Sequence, residues 1–137
     1  MALTHLLDTS VLTRLREPSI RAEIESKAQR GELARAGISD LEIGYSARDA
    51  VEWDRLADAV DVFELVETTT EHVQRARQVQ RLLASKHQRG RKVPDLLIAA
   101  AAEARSLTVL HYDADFDRIA AVTGQSCEWV VPACSVD

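Results

Sequence analysis

Leu3-Thr4-His5-Leu6-Leu7-Asp8-Thr9-Ser10-Val11-Leu12 opens the chain on a short apolar run that meets an acid and then two hydroxyls. Leu and Thr in a run of this length read as a buried strand bounded by polar residues. An acid directly after such a strand stands where an open α/β sheet gathers its ligands, because the connecting turn widens into a crevice at the carboxyl ends of the strands. Asp8 is therefore a candidate site residue. Asp8 or Ser10 could equally cap a helix begun by Val11, Leu12 and Leu15, since both residue types favour N-caps.

The remaining residues decide how far that crevice is built. At 137 residues the chain has the length of one domain and can bury about two thirds of its unfolded surface. Mixed acids and bases and an Ala-, Leu- and Val-rich apolar content indicate a globular protein. The longest apolar run, Leu96 to Ala102, is far too short to span a bilayer, and the first residues lack the pattern of a signal peptide, so the expected compartment is the cytoplasm with no membrane association. Cys127 and Cys134 have no Cys or His companions at metal-ligand spacing and read as ordinary thiols. The net charge of -5 conceals an uneven distribution. Between His72 and Lys92 there is no acid, while Arg75, Arg77, Arg81, Lys86, Arg89, Arg91 and Lys92 fall in that window. This reads either as a solvated helix face or as a basic surface for a polyanion.

Strand and helix patterns alternate along the chain. Residues 11 to 16 suggest a short helix, and Pro18 restarts a longer one through Ile20, Ile24 and Ala28 that stops before Gly31. Leu33 to Ile38 reads as the second strand. Ser39-Asp40-Leu41-Glu42 has the spacing of a capping box, which gives Glu42 a purely local explanation before the helix through Ile43 and Ala47. Val51 to Val60 supports another helix with Trp53, Leu56, Ala57 and Val60 on its apolar side. Val62 to Val66 alternates as a third strand, and Thr68 to Thr70 can cap a basic helix running to about His87, with Gly90 as its stop. Pro94 introduces Asp95 and then Leu96 to Ala102, apolar all round and therefore a buried helix with one acid at its start. The helix dipole accounts for part of that acid, but not for its inward position. Leu107 to His111 forms a strand that ends at Asp113, Asp115 and Asp117, and Trp129-Val130-Val131 a last edge strand. The fold class that follows is α/β, a single domain over 1–137 with about five mostly parallel strands and helices on both faces.

A parallel sheet places its carboxyl ends on one rim, so Asp8, Glu42 and Asp113 converge there with Asp95 from the buried helix. Acids crowded in this way repel and raise one another's pKa values unless a cation neutralises them. Ligation by oxygen alone selects a hard divalent ion, Mg²⁺ or Mn²⁺. Such a centre suits in-line attack on a phosphodiester, which is nuclease chemistry. An Asp-nucleophile phosphatase would want a second acid two residues after Asp8, where this chain has Ser10. A non-catalytic binding module on the same fold is the other alternative, and it would bind no metal at the rim.

The elements Leu6-Leu7-Asp8-Thr9-Ser10-Val11, Ser39-Asp40-Leu41-Glu42-Ile43, Pro94-Asp95-Leu96-Leu97-Ile98-Ala99-Ala100 and Leu110-His111-Tyr112-Asp113-Ala114-Asp115-Phe116, in this order, resemble the PIN domain and within it the VapC-type toxins of toxin-antitoxin pairs. The resemblance runs from Leu3 to about Val131. It implies a Mg²⁺- or Mn²⁺-dependent endoribonuclease with Asp8, Glu42, Asp95 and Asp113 as its acidic site and Asp115 as an additional metal ligand. Thr9 or Ser10 matches a hydroxyl that orders the site. Members often carry Thr or Ser where this chain has His111. The resemblance further implies an RNA substrate, contacted here by Arg89, Arg91 and Lys92, a toxin homodimer, and a VapB-type antitoxin that blocks the acidic cleft in a hetero-oligomer. Leu12, Leu15 and the helix after Glu42 would form the apolar walls that such a partner covers.

Overall fold

Leu6 and Leu7 point to opposite sides of β1 (His5–Leu7), and each side collects its own hydrophobic core. The computed structural model describes residues 2–88 and 92–137. In chain order the further elements are α1 (Thr9–Leu12), α2 (Pro18–Gln29), β2 (Leu33–Ala36), α3 (Gly37–Gly44), α4 (Ala50–Val60), β3 (Glu64–Val66), α5 (Thr70–Ser85), α6 (Val93–Ala104), β4 (Thr108–His111), α7 (Asp115–Thr123) and β5 (Cys127–Trp129). The strands form a five-stranded sheet of order β3-β2-β1-β4-β5 in which every neighbouring pair is parallel. The α/β fold expected from the sequence is therefore present, with a wholly parallel sheet. Among the described residues no helix is long and apolar enough to cross a membrane.

Period-two alternation sorts the two cores. Leu6, Ala34, Ala36, Val66 and Val109 face the side covered by α5, α6 and α7, where Ala76, Val79, Leu83, Ile98 and Ile119 are buried. Leu7, Leu33 and Leu110 face the other side, packed by Val11, Ile20, Ile24, Ile43 and Val60 from α1 to α4. α6 is buried from Ile98 through Ala102, and its small side chains let it lie close against β1 and β4. Its first turn is thereby held at the rim where the parallel strands end.

Three local expectations shift. β2 stops at Ala36, and Gly37 begins α3, so Ser39 is not a cap: the N-cap is Ala36, and Ser39 is buried in the helix. The capping box lies instead at α5, where His72 N–H donates to Thr69 Oγ1 at 3.3 Å and Thr69 N–H donates to His72 Nδ1 at 3.2 Å. The last strand pairs over Cys127–Trp129, two residues earlier than the sequence pattern indicates, and it forms an edge as expected. Gly90 lies outside the described residues.

One polar side chain is buried in β2. Arg35 is 8% exposed and donates to both carboxylate oxygens of Asp40, at 2.8 and 3.2 Å, and to the Phe63 carbonyl. A single guanidinium thus ties β2 to the first turn of α3 and to the entry of β3, and so fixes the helix that carries Glu42. Removing one member of such a pair strands the other without its partner. Arg35→Ala is expected to lower stability by about 3 kcal/mol in urea unfolding, whereas Arg48→Ala, whose side chain is 87% exposed beside Glu52, should change it by less than about 0.5 kcal/mol.

Candidate active site

The rim formed by the ends of β1, β2 and β4 opens into a cleft of about 430 Å³ lined by Asp8, Thr9, Ser10, Glu42, Lys92, Asp95 and Asp113 among others. Asp8 caps α1, so the local explanation holds: its Oδ2 accepts from Ser10 N–H at 2.9 Å and from the Ser10 hydroxyl. It is also 2% exposed, and its other oxygen, Oδ1, has no hydrogen-bond partner among the described residues. Capping therefore uses one oxygen and leaves the second aimed into the cleft. The Ser10 hydroxyl in turn accepts from Tyr112 N–H at 2.9 Å, tying the end of β1 to the loop after β4.

Glu42 stands in mid-helix on α3 and has no part in capping. Thr9 Oγ1 donates to Glu42 Oε1 at 2.6 Å and lies 2.8 Å from the hydroxyl of the buried Ser39. The two hydroxyls of the first stretch thus divide their work, Ser10 orienting Asp8 and Thr9 orienting Glu42. On the far side of β1, Asp95 sits in the first turn of α6 behind Pro94, 4% exposed, with Oδ2 lacking a partner. Asp113 follows β4 and accepts from Asp115 N–H at 2.9 Å, while its own N–H donates to His111 Nδ1 at 3.2 Å. That bond puts the imidazole proton on Nε2, and the ring, stacked on Phe116 and tilted against Trp129, is wholly buried.

Carboxylate oxygens of Asp95, Asp113 and Asp115 lie within 4.8 Å of one another. Asp8 and Glu42 line the same cleft but stand outside that group. Crowding has the expected electrostatic consequence. Burial first, and then the charges of Asp8 and Asp113, push the Asp95 carboxyl up to about 8, and burial also raises Asp8 against the opposing pull of its Ser10 hydrogen bonds. Lys92, the N-cap of α6, offsets part of this: its Nζ is 3.4 Å from Asp113 Oδ2, and that carboxylate is the main cause of its raised pKa. Burial lowers His111, so the ring stays neutral.

The donor set is all oxygen, and two buried carboxylate oxygens, Asp8 Oδ1 and Asp95 Oδ2, lack partners among the described residues. Among the described residues the cleft lining sets Lys92 and Arg14 against Asp8, Glu42, Asp95 and Asp113, which leaves acids in excess. The residues fit a hard divalent cation held by oxygen ligands.

Of the basic stretch, Lys92 is at the cleft, while Arg89 and Arg91 lie outside the described residues. Arg75 is spent on Glu103, at 2.7 and 3.2 Å, and Arg77 and Arg81 line a shallow outer surface of α5 among Gln74, Gln78 and Gln80. Leu12 and Leu15 pack into the second core and do not form open walls, whereas Leu41 and Tyr45 on α3 are exposed. Asp117 accepts from the Trp129 indole at 3.1 Å, outside the cleft. Sequence reading missed Ser39, Arg14 and Tyr112, which meet the site only through the fold.

A parallel α/β sheet with an acidic, oxygen-only cleft at its rim defines the class as a candidate metal-assisted hydrolase. The family profile described as the PIN domain matches residues 5–122. Ribonuclease VapC51 of Mycobacterium tuberculosis is 59% identical over 137 residues, covering 100% of both chains. Ribonuclease VapC21 of the same species is 44% identical over 133 residues and 96% of each chain. Among solved structures, the fold resembles a chain of DNA-bound VapBC from Salmonella typhimurium with a TM-score of 0.78 at 20% identity, covering 94% of this chain and 99% of that one. The chain belongs to the PIN-domain family, in its VapC ribonuclease branch.

Burial first, and then the neighbouring charges, make an ionisable Asp95 costly in the metal-free protein, and an amide there removes that cost. Asp95→Asn is therefore expected to raise the Tm measured in EDTA by a few degrees. The further Tm increase that Mg²⁺ or Mn²⁺ gives the parent protein should be abolished. A lower Tm in EDTA, or an undiminished metal response, would count against the crowded-carboxylate account.

Proposed function

We propose that the chain, acting as one domain over 1–137, is a Mg²⁺- or Mn²⁺-dependent endoribonuclease that serves as the toxin of a toxin-antitoxin pair. The observation carrying this reading is the grouping of Asp95, Asp113 and Asp115 beside Asp8, with buried carboxylate oxygens left unpaired. Asp95, Asp113 and Asp115 would hold the ion, with Asp8 and Glu42 lining the cleft beside them. When bound, such an ion activates a water and stabilises charge on the phosphodiester.

The chain's own groups do the positioning. Ser10 fixes Asp8 and the loop after β4 through one hydroxyl, and His111 holds the Asp113 backbone, so these acids reach the cleft without rearrangement. Thr9 keeps Glu42 turned into the cleft, where it can accept the proton of an attacking water. Lys92, and Arg89 and Arg91 beside it in sequence, supply positive charge for the RNA backbone. Asp8 is too deeply buried to meet a phosphoryl group as a nucleophile, which disfavours the phosphatase reading. Intact acids disfavour the non-catalytic one.

The regulatory half of the proposal rests on α3. This helix carries Glu42 into the cleft and exposes Leu41 and Tyr45, with Val51 and Trp53 of α4 also exposed. An amphipathic segment of a VapB-type antitoxin would cover this apolar strip and reach the acids with an Arg fork. The VapBC titles of the similar solved structures support storage in such a hetero-oligomer, and a cytoplasmic toxin homodimer completes the proposed assembly.

Purified, partner-free protein is expected to cut total cellular RNA in Mg²⁺ and not in EDTA. Asp95→Asn should lose about 10³-fold or more of that rate, and full activity in the variant would refute the site. Thr9→Val, which keeps the shape and removes the hydroxyl, should lower kcat by about tenfold with little change in KM. From its host, the parent chain is expected to co-purify with a small partner, and the Leu41→Asp/Tyr45→Asp variant should emerge without it.

A further inference from the structure

Arg14 follows α1 and lines the same cleft as Asp8, Glu42, Lys92 and Asp113. Its surroundings fix the guanidinium in place. Nη1 donates to the Ser10 carbonyl at 2.8 Å, Nε donates to the Asp137 carbonyl at 2.9 Å, and the guanidinium carbon stands 5.0 Å from the centre of the Tyr112 ring. Tyr112 is itself clasped, its hydroxyl donating to the Val136 carbonyl at 2.6 Å while accepting from Val136 N–H at 3.0 Å. The tail therefore braces the ring, and the ring braces the arginine.

A guanidinium has five N–H donors, and two are used here, on the Ser10 carbonyl and on the backbone oxygen of Asp137. Arg35 and Arg75 are spent on Asp40 and Glu103, whereas Arg14 is the arginine among the described residues that lines the acidic cleft. Arg14 is an oriented cation with donors to spare in a cleft where Asp8, Glu42, Asp95 and Asp113 outnumber it and Lys92. A carboxylate cluster repels the phosphates next to the one it attacks, so a strand entering the cleft needs a compensating charge on the wall. A fixed guanidinium offers two parallel donors to phosphate oxygens.

We propose that Arg14, held by Tyr112 and the tail, binds a backbone phosphate adjacent to the scissile one, and that the RNA path runs over α1 and the Tyr112 loop instead of along α5. The proposal rests on the ribonuclease reading and names how that site grips its strand. Arg14 is on this account a binding residue, and Tyr112 positions it.

The test measures binding of a labelled single-stranded oligoribonucleotide in Mg²⁺ across a salt series, in the cleavage-deficient Asp95→Asn background. Adding Arg14→Ala should raise the Kd about tenfold and reduce the slope of log K against log salt by about 0.7. Arg14→Lys should keep the slope and recover part of the affinity, and Tyr112→Phe, which frees the tail clasp, should raise the Kd less than Arg14→Ala does. Thermal unfolding of each variant separates lost binding from lost folding, because Arg14→Lys keeps the proposal testable if the alanine variant unfolds. An unchanged slope in Arg14→Ala, together with a reduced slope in Arg77→Ala/Arg81→Ala, would overturn the proposal and move the path to α5. Intact RNA binding with loss of the co-purifying partner would overturn it in favour of a protein contact. In either case RNA cutting by the parent chain leaves the ribonuclease reading standing, whereas a parent chain that neither binds nor cuts RNA removes both.

Discussion

Like-charge repulsion at the rim is the constraint that the rest of this structure has to satisfy. Asp95, Asp113 and Asp115 bring oxygens within 4.8 Å of each other, and Asp8 adds its charge from β1. Left to themselves these groups would separate, so each is held by something rigid. Asp8 is pinned by Ser10, Asp113 by the His111 ring and the Asp115 amide, and Asp95 by the first turn of the most buried helix. Lys92 supplies the one ammonium lining the cleft among the described residues, and its exposed, flexible stem makes it a partial counter-charge that a divalent ion can displace.

The stability to hold acids together comes from the two cores. Leu6 and Leu7 bury fully on opposite faces of the central strand, and each such side chain contributes about 2 kcal/mol when removed from water. Alanines on α6 allow its close approach to β1 and β4, which fixes the helix that carries Asp95. Arg35 performs the corresponding task on the other face, fixing α3 and hence Glu42 through Asp40 and the Phe63 carbonyl. Stability and site geometry are thus coupled through a few anchored elements.

Charge distribution reconciles an acidic protein with a polyanionic substrate. Within a net charge of -5, the cleft gathers Asp8, Glu42, Asp95 and Asp113, which a divalent ion would neutralise, and the cations Arg14 and Lys92 stand in its wall. Most of the basic window on α5 serves other ends: Arg75 pairs with Glu103, and Arg77 and Arg81 face outward among glutamines. Charge counted along a sequence does not report which charges are already paired.

Much of the fold and four of the acids were legible in the sequence, because period-two strands, a helix apolar on all sides and acids just after strands are local patterns with direct physical causes. The parallel topology followed from their alternation, and convergence of Asp8, Glu42, Asp95 and Asp113 on one rim followed from the topology. Local pattern was misleading at Ser39 and Glu42, whose capping-box spacing is real but unused. There β2 ends early enough for Gly37 to enter α3, and Ser39 and Glu42 meet Thr9, thirty-odd residues away, instead of each other. The roles of His111, Arg14 and Tyr112 were equally hidden, since each depends on a partner brought in by sheet packing or by the returning tail. The sequence by itself determined which residues could carry charge to the rim. Only the tertiary structure decided which hydroxyl orients which acid and which arginine remains unspent, because hydrogen bonds and ion pairs between distant segments are set by the packing of the elements that carry them.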